Sequence, residues 1–139
     1  MFERSEMKFN DKELMSKNGY REVRLGFQNR FGVQNKDGKW GFVDENGKEV
    51  VPCQYDTIEY FENGVCSVQR DGKWGYVDLK GKEVIACEFD NILDDAFPKK
   101  PAVAYKDGKM YMLTKLGAFY SKIKLGKDKN AEADEENSI

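Results

Sequence analysis

Two stretches of the chain, DGKWGFVDENGKEV at residues 37–50 and DGKWGYVDLKGKEV at residues 71–84, carry the same pattern 34 residues apart. When residues 37–58 are aligned with residues 71–92 without gaps, 14 of the 22 positions are identical. A match of this length at a fixed spacing identifies an internal duplication. A period in this range is typical of proteins built from stacked repeats.

The repeated segments have the signature of β-strands. WGFVD and KEVV are short, β-branched and aromatic, and glycines interrupt them at fixed intervals. In the second copy we expect strands at residues 73–78 and 83–85, joined by a turn in which Gly81 supplies a positive φ. A third strand at residues 65–70 would enter this copy through an Asp-Gly hairpin. The unit is therefore predicted to contain about three short antiparallel strands.

We expect the recurring residues to be structural. Each tryptophan would be the core aromatic of its repeat, the alternative being a stacking platform for sugars or bases. The glycines would recur because each turn needs the same dihedral angles. The aspartates would form Asx-type turns rather than a catalytic pair, because duplicated positions do not supply the unlike environments that catalysis needs. The predicted structural core of the repeats is Trp40, Gly41, Asp44, Gly47, Tyr55, Trp74, Gly75, Asp78, Gly81 and Phe89.

The two copies resemble WG repeats, also called KWG repeats, which are common in bacterial proteins. The shared pattern is Lys-Trp-Gly, an aliphatic-Asp pair, a Gly-Lys turn, an aliphatic pair often followed by Pro, and Tyr or Phe before Asp. KWGFVDENGKEVVPCQYD matches it throughout, whereas KWGYVDLKGKEVIACEFD has Ala86 where Pro is usual. Degenerate copies flank them, one near Arg30 and one in which Met110-Tyr111 replaces Trp-Gly. The resemblance implies no catalytic residues and loosely implies a binding role.

The expected fold is all-β and mainly antiparallel, with repeated hairpin or three-strand units in a solenoid-like or curled-sheet array. We expect an N-terminal segment at residues 1–21, the repeat domain at residues 22–125 and a disordered acidic tail at residues 126–139. In the N-terminal segment, NDKELMSKNG predicts one short helix, with Asn10 or Asp11 as its N-cap and Asn18-Gly19 as its stop.

The composition argues against an enzyme, a metal site or a cofactor. There is no histidine, which removes the commonest general base and the most usual zinc ligand. Cys53, Cys66 and Cys87 are too few and too scattered for a disulfide scaffold or a metal site, and the two that recur are expected to be small core residues. No apolar run reaches the length of a membrane span or a signal peptide. We therefore expect a cytoplasmic protein.

Positive charge is concentrated near the C-terminus. The net charge of −2 conceals a net of +7 in residues 99–127, where eight lysines accompany Asp107 alone. Lysines among aromatic residues could follow a phosphate backbone, could meet an acidic protein surface, or could form a solvated face that protects the last strands from edge pairing. The candidate partner-binding residues are Lys99, Lys100, Lys106, Lys109, Tyr111, Lys115, Lys122 and Lys124.

These observations favour a non-enzymatic module whose partner is another protein. Such a module would act as an adaptor, or as an inhibitor or immunity-type protein directed at one enzyme. The alternative is nucleic-acid binding, or the blocking of a nucleic-acid enzyme, through residues 99–127. A hydrolase that uses carboxylates alone is a third reading, which the symmetry of the repeats disfavours.

Overall fold

The computed structural model of the protein describes residues 3–126, so residues 127–139 of the predicted tail lie outside the described residues. The described part contains one helix, α1 (Asp11–Asn18), and twelve strands. The strands are β1 (Glu22–Val23), β2 (Phe31–Gln34), β3 (Trp40–Val43), β4 (Glu49–Tyr55), β5 (Thr57–Ile58), β6 (Val65–Arg70), β7 (Lys73–Asp78), β8 (Glu83–Phe89), β9 (Asn91–Leu93), β10 (Ala102–Lys106), β11 (Lys109–Leu116) and β12 (Phe119–Leu125).

The strands form three four-stranded sheets in the orders β1-β2-β3-β4, β5-β6-β7-β8 and β9-β10-β11-β12. This confirms the predicted mainly antiparallel all-β fold built from repeated units. Each sheet has one strand more than the predicted unit, because a strand of only two or three residues precedes the central hairpin. The chain divides into two compact units, the first ending at Glu88 and the second beginning at Phe89.

Helix α1 begins and ends where the sequence predicts. The side chain of Asn10 accepts a hydrogen bond from the backbone N–H of Glu13 at 3.0 Å, and Gly19 ends the helix in the left-handed conformation with φ of 74°. The helix contributes Leu14 and Met15 to a cluster that covers one face of the first sheet. The buried members of this cluster are Tyr20, Phe31, Val33 and Val43.

The opposite face of the first sheet packs on the second sheet. The first sheet contributes three buried residues to this cluster, Phe42, Val51 and Tyr55, and the second sheet contributes Ile58. The remaining buried members are Phe61, Cys66, Val68 and Val77. Consecutive repeats in this unit therefore bury their apolar surfaces against each other, as repeat architectures generally do.

Of the recurring aspartates, Asp44 and Asp78 form the expected Asx-type turns, whereas Asp56 and Asp90 accept hydrogen bonds from backbone N–H groups 15 and 17 residues further on. Oδ1 of Asp44 and of Asp78 each accepts two hydrogen bonds of 2.9 Å, from the backbone N–H groups two and four residues further on. Asn35 accepts the equivalent pair at 3.0 Å. The same turn is thus present in the degenerate repeat that precedes the two clear ones.

The recurring glycines have two different physical causes. Gly81, with φ of 86°, serves a turn as predicted. Gly41 and Gly75 instead lie within strands and do not have positive φ. A Cβ atom on Gly41 would lie 2.3 Å from the carbonyl oxygen of Val51, and one on Gly75 would lie 2.3 Å from that of Ile85. The glycine after each tryptophan is therefore required by the close approach of the adjacent strand and not, as the sequence suggested, by turn dihedrals.

The two tryptophans lie at the margin of the core. Both are half-buried, whereas Tyr55 and Phe89, at 1% and 0% exposure, are fully enclosed. Trp40 packs against the cluster between the first two sheets, and the guanidinium carbon of Arg24 lies 5.2 Å from the centroid of its ring. A side chain as large as tryptophan, with an N–H that needs a partner, is seldom fully buried.

Candidate protein-binding surface

The register of the third sheet assigns each of its residues to one of two faces. Strands β11 and β12 pair continuously from Met110 opposite Leu125 to Leu116 opposite Phe119. Strand β10 pairs with β11 on one side and with β9 on the other. Since successive side chains of a strand point to opposite faces and directly paired residues share a face, the two faces can be described separately.

One face, here called the apolar face, carries no charged residue. Its polar members are Asn91, Thr114 and Ser121, and its tyrosine is Tyr105. The remaining members are Leu93, Val103, Met110, Met112, Leu116, Phe119, Ile123 and Leu125.

The apolar face is open to solvent at several of its largest side chains. Leu116 is 82% exposed and Phe119 is 79% exposed. Leu93, Met110 and Ile123 are between 40% and 56% exposed. With roughly 200 Å² for a fully exposed large side chain, these five present on the order of 600 Å² of apolar surface, at the upper end for the largest patch on a typical monomer. A surface of this kind is typical of an interaction site.

The other face, here called the lysine face, carries most of the candidate lysines. Ala102, Ala104 and Leu113 form its centre and are completely buried. Around them the register places five of the predicted lysines and the predicted tyrosine: Lys106, Lys109, Tyr111, Lys115, Lys122 and Lys124. The lysines of strands β10 to β12 therefore do lie on one face.

The aromatic rings of the lysine face are engaged within the second unit. The ring of Tyr111 meets that of Phe89 edge-on at a centroid distance of 5.6 Å, and Tyr120 lies 6.1 Å from Phe97. The ammonium of Lys115 lies 5.4 Å from the centroid of the Tyr120 ring. These rings are packed against protein groups rather than presented as a stacking platform for bases.

The strand register does not place the remaining candidate lysines on this face. Lys99 and Lys100 are exposed residues between β9 and β10, and Lys100 pairs with Asp95 at 3.2 Å. Lys127, the last lysine of the basic stretch, lies outside the described residues. The structure thus brings together only part of the stretch that the sequence identified.

The apolar face occupies the same repeat positions as the first-sheet face that packs on the second sheet. Met110 and Met112 in β11 correspond to Trp40 and Phe42 in β3, since each pair follows an Asp-Gly-Lys turn. Both pairs face the next strand of their sheet, although β3 and β4 pair with a bulge and β11 and β12 pair continuously. In the first unit these positions belong to the cluster between two sheets. The apolar face is therefore built like a surface that packs on another sheet.

The cysteines show no sign of a reactive centre. All three are free thiols, and burial raises the pKa of both Cys53 and Cys87 to about 11. Burial raises the pKa of Cys66 further still. Within residues 3–126, no group of three or more Cys, Asp or Glu side chains is arranged to hold a metal ion. The only helix of that range, α1, is too short and too polar to cross a membrane.

The sequence contained an unused signal for the apolar face. In MYMLTKL and FYSKIKL, large apolar residues recur at alternate positions between lysines and tyrosines. The lysines indicate positive charge, while the alternation predicts that the sheet has two chemically different faces. Leu116, Phe119 and Ile123 are the residues missed.

Comparison with known proteins identifies the repeat. A family model described as a WG containing repeat matches residues 40–74 and residues 74–109, together half of the chain. No curated protein and no solved structure matches the chain.

Proposed function

The chain belongs to the WG-containing repeat family, and we propose that it is a non-enzymatic module that binds another protein through the apolar face of its third sheet. The observation that carries the proposal is the exposure of Leu116 and Phe119, at 82% and 79%, on a face without charge. Leaving large apolar side chains in water has a free-energy cost of about 25 cal/mol per Å² that a partner would remove.

The expected partner is a different protein that presents an apolar sheet surface. In the first unit, the first-sheet face at the same repeat positions packs on Ile58, Cys66, Val68 and Val77 of the next sheet. The first sheet of a second copy carries its equivalent of this partner surface on its other face, which is already covered by Phe9, Leu14 and Met15. A second copy therefore offers no open face of that kind in its first sheet, which favours a heterologous partner.

Among the described strands, β12 pairs with β11 alone, so a partner strand can pair with its other edge while the partner covers Phe119 and Ile123. An adaptor would use this surface to hold a partner, and an inhibitor or immunity-type protein would use it to mask one enzyme. The proposed site of action is the bacterial cytoplasm, supported by the free thiols and by the resemblance of the repeats to those of bacterial proteins.

Nucleic-acid binding is the second candidate, and the convergence of five lysines on one face favours it. The packing of Tyr111 and Tyr120 against Phe89 and Phe97 weighs against it, because those rings would have to stack on bases. A partner held by the lysine face would dissociate steeply with salt, whereas one held by the apolar face would not.

Affinity capture from the native host with matched variants tests the proposal. The bait would be the wild-type chain, the double variant Leu116→Ser/Phe119→Ser and the charge variant Lys115→Gln/Lys122→Gln, each with nuclease at low and high salt. We expect one protein to be retained by the wild type and the charge variant at both salt concentrations and lost from the serine variant. Retention by the serine variant with loss from the charge variant would contradict the proposal and favour the lysine face.

A further inference from the structure

A tyrosine and a glutamate meet in the same way at two places in the first unit. The hydroxyl of Tyr55 donates a hydrogen bond to Oε1 of Glu83 at 2.7 Å. The hydroxyl of Tyr20 donates one to Oε1 of Glu49 at 3.2 Å. The two pairs occupy corresponding positions in consecutive sheets, so they are two versions of one cluster.

A cysteine completes each cluster. The thiols of Cys53 and Cys87 lie 3.7 and 3.8 Å from the carbonyl oxygens of Val33 and Val68, at equivalent places in β2 and β6. Both thiols have raised pKa values, through burial and then through the neighbouring glutamate in each case. The agreement in position and partners shows that the clusters share one framework.

The fourth position of the framework differs between the two clusters. In each sheet a glutamine pairs with the tryptophan, Gln34 with Trp40 and Gln69 with Trp74. The fourth position is the residue directly after that glutamine. That residue is Arg70 in the second sheet and Asn35 in the first. Arg70 pairs with Lys73 across the hairpin, and the N–H of Asn35 correspondingly donates to the carbonyl of Lys39 at 2.9 Å.

In the second cluster the arginine fills the site. Its guanidinium donates from Nη1 to Oε1 of Glu83 at 2.7 Å and from Nη2 to Oε2 at 3.0 Å. The guanidinium carbon also lies 5.3 Å from the centroid of the Tyr55 ring. The carboxylate of Glu83 and the ring of Tyr55 together thus form a binding site for a guanidinium group.

In the first cluster no arginine of the described residues contacts the corresponding site, which is formed by Glu49 and Tyr20. Asn35 is too short to reach it, and its Oδ1 accepts two turn hydrogen bonds instead. A groove opens at this place, lined by Lys17, Asn18, Tyr20, Asn35, Glu49 and Cys53. Among the described residues, Glu49 forms no ion pair, and Oε1 of its carboxylate accepts hydrogen bonds from the hydroxyl of Tyr20 at 3.2 Å and from the thiol of Cys53 at 3.9 Å.

We propose that this groove binds a guanidinium group supplied from outside the chain. The carboxylate of Glu49 would accept two parallel N–H donors, and the ring of Tyr20 would lie beside the guanidinium plane, as Glu83 and Tyr55 do for Arg70. Lys17 lines the same groove, but an ammonium cannot reproduce the two-pronged planar geometry. The inference is independent of the apolar face, because all of its residues lie in the first unit.

The protonation of the cluster suits this ligand. Burial, followed by the charge of Glu49, raises the pKa of Tyr20 to about 12, so its hydroxyl remains a donor at neutral pH. The tyrosine hydroxyl and the Cys53 thiol both contact Oε1 of Glu49, which leaves Oε2 and the remaining lone pairs for the incoming N–H groups.

Titration of the full-length isotope-labelled protein with N-acetyl-arginine amide, followed by amide chemical shifts, tests the inference. Two further probes serve as controls. The N-acetyl amide of lysine keeps the positive charge but lacks the planar guanidinium group. The N-acetyl amide of citrulline keeps the planar shape of that group but carries no charge. We expect saturable shifts at Tyr20, Asn35 and Glu49 in the millimolar range with the arginine probe. Both other probes should bind at least tenfold more weakly.

Substitutions in the groove test whether the arginine probe binds there. Glu49→Gln should weaken the arginine probe at least tenfold, whereas Glu62→Gln, which changes an exposed glutamate elsewhere, should leave binding unchanged. Tyr20→Phe provides a second variant that keeps the ring and removes the hydroxyl. Equal binding of arginine and citrulline probes, or equal binding to wild type and to a folded Glu49→Gln protein, would overturn the inference.

The source of the guanidinium can be determined in the same titration. Tighter binding of a blocked Gly-Arg-Gly peptide than of the blocked single residue would identify the ligand as an arginine side chain of a partner. Tighter binding of free arginine would identify a small molecule. Either result supports guanidinium recognition. The absence of shifts at the groove with the blocked arginine, the Gly-Arg-Gly peptide and free arginine would overturn it.

Discussion

Arg70 and Glu83 form a two-pronged ion pair that spans the central strand β7 of the second sheet, with N–O distances of 2.7 and 3.0 Å. The side chains are 34% and 23% exposed, so the pair is only partly screened by solvent. Hydrogen bonds from Arg70, with a further one from Tyr55, lower the pKa of Glu83 to about 2. The pair therefore stabilises the folded chain wherever Glu83 is ionised.

Replacing Glu83 should make stability less dependent on pH. Because the pKa is depressed from 4.5 in the unfolded chain to about 2 in the fold, the stabilisation is fully present above pH 4.5 and is lost as the pH falls towards 2. We expect Glu83→Gln to lower the free energy of unfolding by about 2–3 kcal/mol at pH 7. Urea unfolding at pH 7 and pH 2.5 should show that the variant and the wild type differ less in their free energy of unfolding in acid. An equal difference at both pH values would contradict this prediction.

The glycine after each tryptophan should tolerate substitution worse than a turn glycine. A Cβ atom on Gly75 would lie 2.3 Å from a backbone oxygen that cannot move without distorting β8. Gly72 has a positive φ of 79° but no atom within 4 Å of an added Cβ. Thermal or urea unfolding should therefore show a loss of about 2–3 kcal/mol for Gly75→Ala and about 1 kcal/mol for Gly72→Ala. Equal losses would show that dihedral strain, not close approach, selects these glycines.

The Asx-type turn should depend on its acceptor atom and not on its charge. Asp78→Ala removes the acceptor of two backbone hydrogen bonds and should lower the free energy of unfolding by about 1–2 kcal/mol. Asp78→Asn keeps Oδ1, as Asn35 does in the first sheet, and should cost less than half as much. A comparison of the two variants by urea unfolding decides this, and equal costs would indicate that the carboxylate charge matters.

Sequence reasoning succeeded where local pattern determines structure. The duplication, the strands at residues 65–70 and 73–78, the Asp-Gly hairpin and the helix with its caps all depend on neighbouring residues. The additional strand of each sheet escaped notice because two or three residues are too few to show alternation.

Features that depend on register or on distant residues could not be predicted in the same way. The need for Gly75 arises from the carbonyl of Ile85, which belongs to the next strand. Tyr20 and Glu49 are 29 residues apart and meet only once the first sheet has formed. The separation of lysines from apolar residues required the pairing of β11 with β12, although the alternation within each strand pointed to it.

The most direct test of the proposed function is calorimetric titration of the captured partner, purified, against the wild-type chain and against Phe119→Ser at low and high salt. Burial of the apolar face predicts a negative heat-capacity change and an affinity that falls less than tenfold between the two salt concentrations. The same account predicts at least a tenfold loss of affinity for Phe119→Ser, because a large exposed side chain at the interface is removed. An affinity that falls by orders of magnitude with salt and is unchanged by Phe119→Ser would contradict it.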